Sequence, residues 1–234
     1  MAQRPMLTRQ AITDAALAAA ARGELETLTM RGLAQELGVT AMALYTHVTN
    51  KDDILDAVLD AVLARDAEPP PVDAHDWKEW TLISASELQA VLVSFPPLLD
   101  RYRRRPVGVP AALRRMEAAL EVYRRAGFSD DECVAVYAIV HTYTIGFAGL
   151  EIGRQVEEDG QGAGTSGVIT EASPHFWPAF LAGLDPDVFP NLVRLTPDLA
   201  GFTDEEQFAR GLLAIIAGLE AGRATRGPAR RSGR

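Results

Sequence analysis

An all-α chain is what this sequence predicts, on three observations. Apolar residues recur every three or four positions along most of its length, capping residues and glycines punctuate those runs, and strand-like alternation is nowhere convincing. The 234 residues leave room for one or two domains with a sizeable core. A content of 47% hydrophobic and 24% charged residues is that of a folded, soluble chain rather than a disordered one.

Taken in order, Leu7, Ala11, Ile12, Ala15, Ala16 and Ala19 predict a first helix, with Thr8 as its cap and Gly23 as its stop. A short second helix spans Thr29 to Leu37, capped by Thr29 and striped by Leu33, Ala34 and Leu37, and Gly38 ends it in the left-handed region. Thr40 caps a third helix to about His47. Asn50 caps a fourth over Lys51 to Arg65, whose apolar face is Ile54, Leu55, Val58, Leu59 and Val62. Pro69, Pro70 and Pro71 cannot continue it and predict a stiff connection. Beyond it, helices are expected over Asp76 to Phe95, Pro97 to Arg104, Pro110 to Ala126 and Ser129 to Arg154, with Gly127 as a stop. The Gly-rich, acidic stretch from Val156 to Pro174 reads as a surface loop. Short helices are expected next over Pro174 to Leu181 and Pro186 to Leu195, and a long one from Thr203 to Ala221. The division is therefore 1–66, a domain of short helices; 67–221, a larger helical domain; and 222–234, an Arg-rich tail expected to be disordered.

Composition excludes several classes. A single cysteine, Cys133, rules out an internal disulfide framework and reads as a small buried hydrophobe. No His/Cys cluster has zinc-site spacing, and no metal or cofactor is expected. No apolar run approaches the ~20 residues of a membrane span, and the first ten residues lack a signal-peptide apolar block, so a cytoplasmic protein without membrane contact is expected. The net charge of −9 speaks against nucleic acid, and so does the 1–66 segment alone, where six basic residues face nine acids.

Motif geometry outweighs that charge. Two short helices separated by Gly38-Val39 form a helix-turn-helix, the device that places side chains in the DNA major groove. The string from Thr29 through Arg31, Leu33, Gly38, Thr40, Leu44, Tyr45, His47 and Asn50 to Lys51 resembles the signature of the TetR family of transcriptional regulators, and the resemblance covers about Thr8 to Arg65. A fainter likeness to the tetracycline-repressor branch lies in Gly127-Phe128 and Tyr143-Thr144-Ile145-Gly146. The resemblance implies a homodimeric repressor on palindromic double-stranded operator DNA, released by a small-molecule effector. It also implies a helix-turn-helix three-helix domain joined to a helical effector-binding and dimerisation domain. In tetracycline repressors a histidine ligates the drug's magnesium before the long helix; here that stretch reads Leu98-Leu99-Asp100-Arg101-Tyr102-Arg103, which argues against magnesium-tetracycline.

Each motif residue has a physical role. Arg31 is long and forked enough for a phosphate or a guanine edge. Ala41, Met42 and Ala43 front the third helix, where small or apolar groups touch thymine methyls. Thr29, Thr40, Tyr45, Thr46, His47 and Lys51 suit phosphates, which set register. Arg4 and Arg9 either reach the flanking backbone or are simply solvated. Leu33, Leu37, Val39, Leu44 and Val48 are expected to form the small core.

In the larger domain Tyr102, Tyr123, Tyr137, His141, Thr144, Phe147 and Trp177 are effector candidates, each also compatible with plain core packing. Dimerisation is expected through Ser129 to Arg154 and Thr203 to Ala221. There Val134, Ile139, Ile145, Gly146 and Gly149, and Phe208, Leu212, Ile215, Ile216 and Leu219, offer surplus apolar surface, and Gly211, Ala214 and Gly218 permit close approach. Catalysis is not expected: His141 and Glu151 stand about 15 Å apart along one helix, too far to share a site. The remaining rival is a helical ligand-binding protein with no DNA role.

Overall fold

The computed structural model describes residues 7–158, 181, 183–199 and 205–226. Among these the elements are α1 (Arg9–Ala21), α2 (Met30–Glu36), α3 (Ala41–Leu44), α4 (Lys51–Asp66), α5 (Trp77–Ser94), α6 (Pro96–Arg104), α7 (Pro110–Arg125), α8 (Asp130–Glu158), α9 (Pro190–Leu199) and α10 (Glu205–Arg226). No strand occurs among the described residues, and the fold is all-α.

Local chemistry sets the boundaries. The hydroxyls of Thr8, Thr29 and Thr40 and the carboxamide oxygen of Asn50 accept from Ala11 N, Gly32 N, Ala43 N and Asp53 N at 3.0–3.2 Å, satisfying first-turn amides that have no helical partner. Asp76 does the same for Lys78 N and Glu79 N. Gly23, Gly38 and Gly127 take φ of 74°, 66° and 88° after α1, α2 and α7, a region in which a Cβ is strained. Pro96 and Pro97 open α6, where their missing N–H groups cost nothing, and the chain turns by 118° between α5 and α6.

Contacts divide the chain between Gly127 and Phe128. In the first unit α4 is the spine, packing on α1, α5, α6 and α7. Ile54, Val58, Leu59, Val62 and Leu63 of α4 are buried, as are Ile12, Ala16, Leu33, Leu44 and Val48 before it in the chain and Trp80, Leu92, Leu98, Tyr102 and Tyr123 after it. Each large aliphatic side chain so buried contributes roughly 1.5–3 kcal/mol. The proline connection is tied down, because Trp80 Nε1 donates to Pro70 O at 2.8 Å.

In the second unit α8 packs on α10. Tyr143, Phe147 and Phe208 form a ring cluster with centroids 5.3–5.8 Å apart, next to buried Leu212 and Ile216. Phe208, Leu212 and Ile216, expected at a dimer surface, are thus core residues of their own unit. Gly211, expected to admit a partner helix, makes room for the Tyr143 ring.

Several boundaries differ from expectation. The α-helical part of α3 stops at Leu44; Thr46 N and His47 N then bond three residues back, to Ala43 O and Leu44 O, and the Thr46 hydroxyl competes for Ala43 O at 2.7 Å. The helix expected from Pro186 begins at Pro190, since the Asp185 carboxylate and carbonyl capture Asp187 N, Val188 N and Phe189 N. α8 continues to Glu158, beyond Arg154, and α10 to Arg226, so the first residues of the expected tail are helical. Residues 159–174 of the expected loop, nearly all of the Pro174 to Leu181 helix, and 227–234 lie outside the described residues. Against the expectation that no apolar stretch matches a membrane span, α8 has that length and apolar content over Asp130–Gly153, with 33% of it buried within the chain.

Candidate DNA interface and effector residues

α2 ends in a double hydrogen bond, Gly38 N to Gln35 O at 3.1 Å and Val39 N to Ala34 O at 2.9 Å, which closes its last carbonyls and aims the chain into α3. Leu33, Leu44 and Val48 bury completely or nearly so beneath the pair, and Leu37 and Val39 are half-buried. The Arg22 guanidinium joins Glu24 and Glu36, bridging the ends of α1 and α2. Side chains on the far side of this unit are held on a rigid base.

Those side chains are the ones singled out from the sequence. Met42 is 76% and Tyr45 50% exposed, and Thr29, Arg31, Thr40 and Thr46 are exposed as well. Ala41, Ala43, His47 and Lys51 are half-buried. Arg31 is exposed, and its guanidinium has no hydrogen-bond or ion-pair partner among the described residues, so its donors are uncommitted. Hydrogen bonding sorts the rest. Thr29 and Thr40 accept at their caps and keep a hydroxyl hydrogen for a phosphate. Thr46 commits its hydrogen to Ala43 O, which leaves only acceptors toward an anion. Lys51 Nζ donates to Glu26 O at 2.8 Å and retains two further donors. Asp53 beside it accepts from Thr49 N at 2.7 Å, and its carboxyl is held below the ordinary range by the Thr49 hydrogen bonds and by the charges of Arg9 and Arg101.

Sequence reasoning missed the acid ladder on the other side of α4. Asp52, Asp56 and Asp60 recur at four-residue spacing, and residues outside the head answer each one. Arg101 of α6 forks onto Asp56 and reaches Asp52, and Asp60 accepts from Ala111 N at 2.6 Å. The spacing itself was the available signal, since carboxylates four residues apart along one helical row repel one another and a cation or amide beside them relieves that repulsion. Arg115 of α7, buried, also donates to Ala67 O, at the end of α4, and to Ser84 O and Oγ. Glu87 nearby has a buried Oε2 without a hydrogen bond, and burial pushes its carboxyl up despite the Arg115 charge.

The effector candidates fall in both units. Tyr102 and Tyr123 are fully buried in the first, with Tyr123 Oη 3.2 Å from Thr81 Oγ1. In the second, Tyr137 and His141 stack at 5.1 Å and are half-buried. Thr144 is buried and bonded to Val140 O, and Phe147 belongs to the ring cluster with Tyr143 and Phe208. Trp177 lies outside the described residues.

Known proteins share both halves of this arrangement. Residues 12–58 match the family described as bacterial regulatory proteins, tetR family, and residues 69–223 match the tetracyclin repressor-like C-terminal domain. The HTH-type transcriptional repressor DrrR1 of Streptomyces coeruleorubidus is 31% identical, over 93% of this chain and 78% of that protein. The class C tetracycline repressor of Escherichia coli is 32% identical, over 94% of this chain and 93% of its own length. Among solved structures, the TetR family protein ActR of Streptomyces coelicolor in complex with actinorhodin is similar at a TM-score of 0.76 and 30% identity, over 93% of this chain and 97% of that one.

Proposed function

This chain belongs to the TetR family of bacterial transcriptional regulators, and from that premise we propose that it is a repressor which binds a palindromic operator as a two-fold dimer and leaves it when a small organic molecule binds. The observation that carries the DNA reading is the outward set of Arg31, Met42 and Tyr45 on a base locked by Leu33, Leu44 and Val48. Arg31 supplies hydrogen-bond donors, Met42 an apolar contact for thymine methyls, and Tyr45 a phenol for the backbone. Thr29, Thr40, His47 and Lys51 set register, and Ala41 and Ala43 keep the approach close. The functional boundary stays near residue 66, which the separate family matches support.

Dimerisation fits what α8 and α10 leave uncovered. Val134, Ile139 and Leu150 on α8 and Leu213 on α10 are each roughly half exposed, beside the small exposed residues Ala138, Gly146, Ala214, Ala217 and Gly218. Burying both faces against a second copy explains an α8 too apolar for open solvent, and it sets two α3 helices about 34 Å apart on the duplex. The complexes of ActR support a small-molecule effector, for which Tyr137 and His141 are the leading contacts of this chain. No chemical step is involved, and the protein works in the cytoplasm with its DNA.

Titration of a labelled duplex from the gene's own upstream region tests this, with Arg31→Ala and Tyr45→Ala compared at two salt concentrations. Tight, salt-sensitive binding that falls at least tenfold in each variant is expected. Equal, weak binding by all three leaves only a ligand-binding protein.

A further inference from the structure

The 1–66 head is poorly charged for its task, with six bases against nine acids. Asp52 sits directly after Lys51, and its side chain is 63% exposed, so its charge is felt outside the protein. A bare carboxylate there repels phosphates within the ~10 Å over which charges act at 0.1 M salt.

α6 meets that deficit. Arg101 donates Nε and Nη2 to the two oxygens of Asp56, at 2.5 and 2.6 Å, and Nη1 to Asp52 at 2.9 Å. Arg105 adds Nη1 to Asp56 at 3.5 Å. The Arg101 side chain is only 12% exposed, and its guanidinium is fixed by the fork. Counting these two arginines with the head brings its net charge from −3 to −1. Three of the five guanidinium hydrogens of Arg101 are engaged by carboxylates and its side chain is nearly buried, so it is poorly placed for direct contact with DNA.

We infer that Arg101 is a counter-ion lent to the DNA-binding head by α6: it cancels the acids behind Lys51, and DNA affinity depends on that cancellation as well as on the residues that touch DNA. The inference rests on the repressor reading. A paired charge presents a short-range dipole to the phosphates where a lone carboxylate presents a full charge. Such a field is blind to base sequence, so the effect is the same on operator and on unrelated DNA, whereas a strut that merely aligned α3 would matter for the operator alone.

The test titrates the full-length protein with the labelled upstream duplex and with a random-sequence duplex, from 50 to 200 mM salt. Arg101→Gln is expected to bind both duplexes about tenfold more weakly at low salt, with the deficit shrinking as salt rises. Arg101→Lys keeps most of the affinity. Arg101→Gln combined with Asp52→Asn and Asp56→Asn, which removes the arginine together with both acids it answers, returns to within about threefold of the parent. Asp52→Asn alone, which leaves the Arg101–Asp56 fork intact, binds about threefold more tightly and needs no disruptive change. The inference is overturned if the triple variant stays as weak as Arg101→Gln, if the loss is confined to the operator, or if Asp52→Asn fails to tighten binding. A parent protein that binds its upstream duplex normally beside an unaffected Arg101→Gln overturns this inference alone. A parent that binds neither duplex overturns the repressor reading with it.

Discussion

Gly211→Ala is expected to destabilise this protein, against the usual preference of helices for alanine. Inside a helix the change ordinarily gains about 1 kcal/mol. Here a Cβ at residue 211 would overlap the Tyr143 hydroxyl and lie 2.8 Å from its Cζ and 3.2 Å from its Cε2. The ring cannot simply retreat, being stacked on Phe208 at 5.4 Å and set against Phe147 at 5.8 Å. If it swings away it loses the hydrogen bond from its hydroxyl to Phe208 O at 3.0 Å, about 1 kcal/mol, and aromatic contact of similar size. If it stays, α8 and α10 must part, an overpacking cost of about 1–3 kcal/mol. Set against the helical gain, the first route leaves a net loss of about 1 kcal/mol and the second a net loss of up to about 2 kcal/mol. In a Tyr143→Leu background the far end of the ring is gone, and the same Gly211→Ala change should stabilise by about 0.5–1 kcal/mol. Urea unfolding of the four proteins at one fixed concentration, monitored by circular dichroism, gives the coupling, expected to be about 2 kcal/mol. Gly211→Ala raising the stability of the parent, or costing the same in both backgrounds, would refute the packing argument.

Three further outcomes are expected. Gly38→Ala forces a side chain into the left-handed region at φ 66° and should cost about 1–2 kcal/mol, read as a drop of about 2–8 °C in melting temperature, with weaker DNA binding as the α2–α3 turn loosens. Glu87, with a carboxyl raised by burial, holds its proton more firmly folded than unfolded; its contribution to stability is present below the unfolded value and lost as pH rises through the folded one. Glu87→Gln should therefore flatten stability against pH above pH 4 in denaturant titrations, and an unchanged slope there counts against a desolvated carboxylate. Leu213→Glu places a charge on the exposed face of α10 and should convert a dimer to monomer in sedimentation with helical content retained.

What the sequence made legible was local. Thr8, Thr29, Thr40 and Asn50 cap the helices expected of them, and Gly23, Gly38 and Gly127 end α1, α2 and α7, because caps and stops depend on chemistry within four residues. Helix faces were harder to read. On α10 nearly every residue from Phe208 to Leu219 is apolar or small, so nothing in the pattern distinguishes Phe208, Leu212 and Ile216, which turn inward, from Leu213, which does not. Charge was misjudged for a related reason. Summing residues 1–66 assigns Asp52 and Asp56 to the head without the arginine that neutralises them, since Arg101 is 45 residues beyond Asp56 and joins it only after folding.

The same pairs explain why a division by contacts falls after Gly127 although the two family matches part between residues 58 and 69. α4 ends the DNA-binding head, yet α6 and α7 hold it at three levels: Arg101 at Asp52 and Asp56, the Ala111 amide at Asp60, and Arg115 at Ala67 O. The connection beyond is fixed as well, through Trp80 Nε1 and Pro70 O. A head joined only by its linker could reorient at little cost, but here a rotation of α4 against α6 and α7 has to strip partners from part-buried or buried charged groups, at about 1–3 kcal/mol for each group left unsatisfied. The linker is therefore no hinge. Any change in the orientation of α2 and α3 has to be carried by α4 and the helices bonded along its length.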